Sequence, residues 1–179
     1  MLKYKLLILL TLLSYQEAFT QNIEKPSEGK SLVYFVRSAG TGALINFKYF
    51  DGEKYIGKFN GVNYLKYECD PGEHIFWVTA ENRSFLQGKL EKNKTYMVEV
   101  RPQMGAIKAR VLIKPITDDK KKQKALKLIS KKDAIDLNAD QVAIESEKLQ
   151  FYIENGMDKY KRDLDKGVIF EILQTATMN

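Results

Sequence analysis

His74 is the only histidine of the 179-residue chain, and Cys69, five residues earlier, is its only cysteine. A thiol beside an imidazole is the arrangement of a cysteine nucleophile activated by a general base. The Asp70-Pro71-Gly72 turn between them would fold one towards the other. No nucleophile motif surrounds either residue, so the expectation is a small buried thiol without a disulfide partner in the chain. One histidine and one cysteine fall short of a zinc site. Asp51, Glu53 and Asp70 lie in turns and could offer oxygens to calcium, but DxDxDG spacing does not occur. Neither a GxGxxG run nor a phosphate loop is present. No metal or cofactor is therefore expected. Paired carboxylates that cleave a glycosidic bond leave no sequence signature, so a small carboxylate-dependent hydrolase acting on glycans stays open as an alternative function.

The elements that would position these residues are short and β-rich. Strands are expected at Leu32–Arg37, Leu44–Phe50, Lys54–Phe59, Val62–Cys69, His74–Ala80, Ser84–Leu90, Thr95–Arg101 and Ala106–Ile113. Gly40/Gly42, Asp51-Gly52, Asn60-Gly61, Asp70-Pro71-Gly72, Glu81-Asn82, Asn93 and Gly105 separate them, and Asp-Gly and Asn-Gly suit tight hairpins. Seven or eight such strands predict a mainly β fold, an antiparallel sandwich over residues 31–117. Both alternating sets of His74–Ala80 are apolar, which makes that strand central and puts Phe76 or Trp77 in the core.

After Pro115 the pattern becomes helical. Ala125, Leu126, Leu128 and Ile129 share one side of a lysine-rich segment, with aspartates at its start. Asn138 with Gln141 resembles a capping box. Val142, Leu149, Ile153, Met157, Tyr160 and Leu164 then recur at three, four or seven, with Asn155-Gly156 as an expected kink or end. Residues 118–179 thus read as a helical extension that would cover one sheet or dock a partner. Gly167–Leu173 is a short apolar tail, strand or helix by pattern alone.

The first twenty residues predict the location. Lys3 and Lys5 precede an eight-residue apolar run, Leu6 to Leu13, and Ala18-Phe19-Thr20 closes a polar stretch. This is the pattern of a cleaved secretory signal over 1–20, too short to span a membrane as a helix. Export to the periplasm or to an outer-membrane-associated position is expected, with no transmembrane helix after cleavage and a flexible leader over 21–30.

The net charge of +6 is local. The signal contributes two lysines and one glutamate, and residues 118–132 contribute seven lysines and two aspartates, which leaves the rest of the chain neutral. Nucleic acid is not an expected partner, because aromatic and basic residues are not interleaved there. Lys120, Lys121, Lys122 and Lys124 are candidate contacts for an anionic envelope surface, with peripheral membrane association as one outcome. Tyr49, Tyr55, Tyr64 and Tyr67 are candidate protein contacts, or equally cross-strand packing pairs. Asn82-Arg83-Ser84 and Asn93-Lys94-Thr95 match the N-glycosylation pattern by composition alone.

One resemblance joins several of these residues. Val33-Tyr34-Phe35-Val36-Arg37, Phe47-Lys48-Tyr49-Phe50-Asp51-Gly52, Tyr55-Ile56-Gly57, Tyr64, Asp70-Pro71-Gly72-Glu73-His74 and Leu90-Glu91-Lys92-Asn93-Lys94-Thr95-Tyr96 follow one another in an order that resembles the DUF2846 family of bacterial envelope domains. The resemblance covers about residues 31–116. It implies a small β-sandwich of unassigned function in lipoproteins or signal-bearing proteins, and it carries over no catalytic residue. The chain departs from the lipoprotein members by having no cysteine to lipidate near its signal, and it adds the helical extension. The expected function is a non-enzymatic binding or assembly module of the bacterial cell envelope.

Overall fold

The computed structural model describes residues 23–104 and 109–174. The signal segment and the expected strand start at Ala106 lie outside the described residues. The strands are β1 (Ser31–Arg37), β2 (Phe47–Asp51), β3 (Lys54–Phe59), β4 (Asn63–Cys69), β5 (Gly72–Thr79), β6 (Arg83–Leu90), β7 (Lys94–Met104), β8 (Ala109–Pro115) and β9 (Ile172–Leu173). Between β8 and β9 run the helices α1 (Asp119–Ile129) and α2 (Ala139–Asp165). The expected mainly β sandwich with a helical C-terminal part is the fold observed.

Two sheets stack face to face, β4-β1-β7-β8 and β3-β2-β5-β6-β9. They are mixed rather than wholly antiparallel, because β1 pairs with β7, and β6 with β9, in parallel. All seven residues of β1 are buried, as a near-continuous apolar run covered on both faces requires. Phe35, Phe47, Tyr49, Phe76, Val78, Leu86, Tyr96 and Val98 fill the space between the sheets.

The helices cover both outer faces, not one. Ala125 and Ile129 of α1 pack on Leu32, Tyr34, Val36, Tyr64 and Met97 of the first sheet. Ile153, Met157 and Tyr160 of α2 pack on Phe50, Tyr55, Trp77 and Phe85 of the second. The order is therefore helix, sheet, sheet, helix, with the two helices on opposite sides. Each helix has an oxygen cap at its start: Asp118 accepts from the Lys121 N–H, and Asn138 from the Gln141 N–H.

Three local expectations are corrected, and the open reading of the tail is decided. The second strand starts at Phe47 instead of Leu44, because the buried Arg37 guanidinium gathers the carbonyls of Thr41, Gly42 and Ile45 into a loop and stacks over Phe47 at 4.3 Å. The helix expected to kink or end at Asn155-Gly156 does not end there, because Gly156 is buried against Trp77 and tertiary contact there outweighs the local cost of glycine. The leader from residue 23 is tied down: the Ser27 N–H donates to Glu68, the Gly29 N–H to Asn93, and Glu24 pairs with Lys66. The apolar tail supplies β9, a two-residue strand beside β6.

Candidate binding surface

His74 is held at one end of the sandwich. Its Nδ1 lies 2.7 Å from Asp51 Oδ2 and its Nε2 lies 2.9 Å from the Asp70 carbonyl oxygen. A carbonyl only accepts, so Nε2 donates; the Asp51 carboxylate accepts from Nδ1 and from the Tyr67 hydroxyl at 3.1 Å. Both ring nitrogens then carry hydrogen, and the ring is an imidazolium. The Asp51 hydrogen bond, working against burial, pushes its pKa up to about 10. The ring also stacks on Phe76. A ring donating from both nitrogens to oxygen has no lone pair free to act as a general base. Cys69 itself is buried, as expected, with its sulfur 3.9 Å from the Ser31 carbonyl.

The carboxylates that carry shifted pKa values are held ionised. Glu145, on the first turns of α2, takes a hydrogen bond from the Tyr55 hydroxyl at 2.8 Å and an ion pair from Lys58. Lys58 first and Tyr55 second hold it below the usual carboxylate range. Burial pulls Glu99 upward, but Lys121 and Arg101 outweigh that and leave it low. Lys30 lowers Asp70. A glycosidase needs the opposite direction in its proton donor. Glu145 lines an open cleft of about 390 Å³ between β3 and the start of α2, with Tyr55, Lys58, Gln141 and Lys148.

Of the two readings of the four tyrosines, exposed protein contacts or packing pairs, the first is corrected, because they are mostly enclosed. Tyr49 lies between the sheets, stacked on Phe59 at 4.7 Å. Tyr55 sits under α2 and Tyr64 under the α1 side, its hydroxyl bonded to the Lys132 carbonyl. Tyr67 is half-buried and bonded to Asp51. The reason is that Tyr49 and Tyr67 face the space between the sheets, while the helical segments cover Tyr55 and Tyr64 on the outer faces. These residues act as packing pairs.

Of the four lysines, Lys120 and Lys124 are exposed, Lys122 is half-buried, and Lys121 pairs with Glu99 at 3.0 Å. Both N-glycosylation-like asparagines are engaged: Asn82 bonds the backbone of Val111 in both directions, and Asn93 accepts from Gly29.

Two sheet edges are partly capped. Asn82 and Ser84 accept from the Val111 and Ile113 N–H groups of β8. On β4, the Tyr64 carbonyl takes the Ile135 N–H and the Val62 carbonyl takes Lys132 Nζ. Strand addition by a partner at these edges would have to displace those groups. The outward surface of α2 carries exposed apolar side chains. On α2, Ile144 and Phe151 are seven residues apart and point away from the buried Ile153 stripe. Phe151 is 78% exposed. Leu164, Val168 and the 95%-exposed Ile169 form a second apolar group at the far end of the helix. Sequence reasoning missed this ridge, although its signal was present: Ile144 and Phe151 fall off the Val142–Leu149–Ile153 stripe. Among the described residues, no helix is long and apolar enough to cross a membrane.

No family model matches this chain, and no curated protein matches it.

Proposed function

We propose that the chain is an exported, non-enzymatic binding or assembly module of the bacterial cell envelope, which engages a protein partner through the outward ridge of α2. The observation that carries this reading is Phe151, a large aromatic left 78% exposed in the middle of a helix whose other side is fully packed. Aromatic side chains of this kind anchor protein interfaces. Ile144, two turns earlier, extends the apolar ridge, and Glu147 and Lys148 give it a mixed-charge flank. The doubly donating His74 and the ionised Glu145 support a binding role over hydrolysis. The signal pattern at the N-terminus supports export, and the resemblance to DUF2846 domains supports the envelope. The partner is a protein that presents an apolar side chain to this ridge. A photo-cross-linker at position 151, expressed in the native host, tests the reading: one discrete adduct is expected, and none would overturn it.

A further inference from the structure

We infer that the outward side of α1 is a docking face for an anionic lipid surface, and that it holds the protein to a bilayer by charge alone. From Lys120 to Lys132 the chain has seven lysines and no acid. Lys120, Lys124 and Lys127 follow at spacings of four and three, and Lys131 comes four later, just past the Ser130 cap. At ~100° per residue, the first three fall within about 60° of arc. That arc lies opposite Ala125 and Ile129, which are buried against the first sheet. All four lysines are exposed. Among the described residues, no carboxylate pairs with any of them.

The needs of the fold do not explain this stripe. Lys120, Lys121 and Lys122 occupy the first turn, where the helix dipole disfavours cations. Lys120 with Lys124, and Lys124 with Lys127, are like-charge neighbours that destabilise a helix. Apart from Lys121, which pairs with Glu99, a charge array that weakens its own helix and finds no carboxylate within the described residues fits an external polyanion. Headgroup phosphates fit better than an acidic protein. The stripe is straight and convex, and its exposed ammonium groups are spread along one side of the helix, as charges drawn to a flat anionic bilayer surface are. The apolar side of α1 is taken up by the sheet, so the helix cannot insert into the acyl region as a free amphipathic helix does. Attachment is therefore superficial and reversible by salt. Because α1 and α2 lie on opposite faces of the sandwich, a bilayer on one side leaves the Phe151 ridge free.

The test uses the whole mature chain with vesicles of phosphatidylcholine alone or mixed with phosphatidylglycerol. Wild type is expected to sediment with the anionic vesicles at about 50 mM salt and to be released at about 500 mM. The variant Lys120→Gln/Lys124→Gln/Lys127→Gln/Lys131→Gln is expected to bind at least about a hundredfold more weakly. Its thermal midpoint should equal or exceed that of wild type, which a structural role for the lysines would not allow. Retention at high salt, equal binding to phosphatidylcholine, or undiminished binding by the glutamine variant would overturn the inference. So would binding to soluble heparin without binding to vesicles. None of these outcomes bears on an adduct at position 151, so the two proposals fail separately.

Discussion

Gly156 lies against the indole of Trp77, so close that a Cβ on the glycine would stand 2.5 Å from the ring carbon Cη2. Trp77 has no room to yield. It is fully buried, stacked on Phe50 at 3.8 Å, and its Nε1–H donates to the Gly52 carbonyl at 2.9 Å. This one contact sets how closely α2 approaches the second sheet, and so it fixes the helix that presents Phe151.

Replacing Gly156 with alanine should therefore destabilise the fold. Alanine favours a helix over glycine by ~1 kcal/mol, but overpacking a tight site costs about 1–3 kcal/mol. We expect net destabilisation in urea unfolding, followed by far-ultraviolet circular dichroism, and partial rescue by Trp77→Phe. A more stable Gly156→Ala protein would show that α2 is not seated on Trp77.

The His74–Asp51 pair makes stability depend on alkaline pH. The folded pKa of His74 is raised to about 10, against ~6.5 in an unfolded chain. The unfolded chain loses its proton first, so the contribution is complete below about 6.5 and disappears as pH rises through the folded value. The stability gap between wild type and His74→Gln should be largest near pH 6 and close towards pH 10. A gap that widens with pH, or a His74 ring that titrates near 6.5 by NMR, would contradict the doubly donating geometry.

Arg37 is fully buried and donates to the carbonyls of Thr41, Gly42 and Ile45. Arg37→Met leaves those carbonyls without their donor, at a cost of roughly 2–4 kcal/mol. Arg37→Lys should recover only part, since one ammonium cannot reproduce the fork. Amide exchange across residues 38–46 should quicken in both variants. Unchanged exchange in the methionine variant would mean that the loop is held by something else.

The strands were legible in the sequence because their turns were: Asp51-Gly52, Asn60-Gly61 and Asp70-Pro71-Gly72 bound them chemically. Trp77 and Phe76 were legible as core because both faces of that strand are apolar. Asn138 was legible as a cap because its oxygen has one obvious donor. The parallel pairing of β1 with β7 was not legible, since strand direction is decided by elements some sixty residues apart. Tyr55 and Tyr64 looked exposed because alternation within one strand says nothing of a helix that later covers its outer face, and Tyr49 because it says nothing of which face meets the other sheet. Gly156 read as a break because its reason, Trp77, lies in another strand. His74 and Asp51 are 23 residues apart, and no local pattern joins them.

Position-resolved photo-cross-linking in living cells of the native host tests the central claim most directly. The cross-linker is placed at Phe151, at Ile144 and, as a control, at the exposed Glu53 in the β2–β3 turn. The account predicts the same discrete adduct from 144 and 151, none from 53, and its loss when the other ridge residue is changed to glutamate, with folding stability altered by less than ~0.5 kcal/mol. No adduct from either ridge position, or one equally strong from Glu53, would contradict a partner docked on α2.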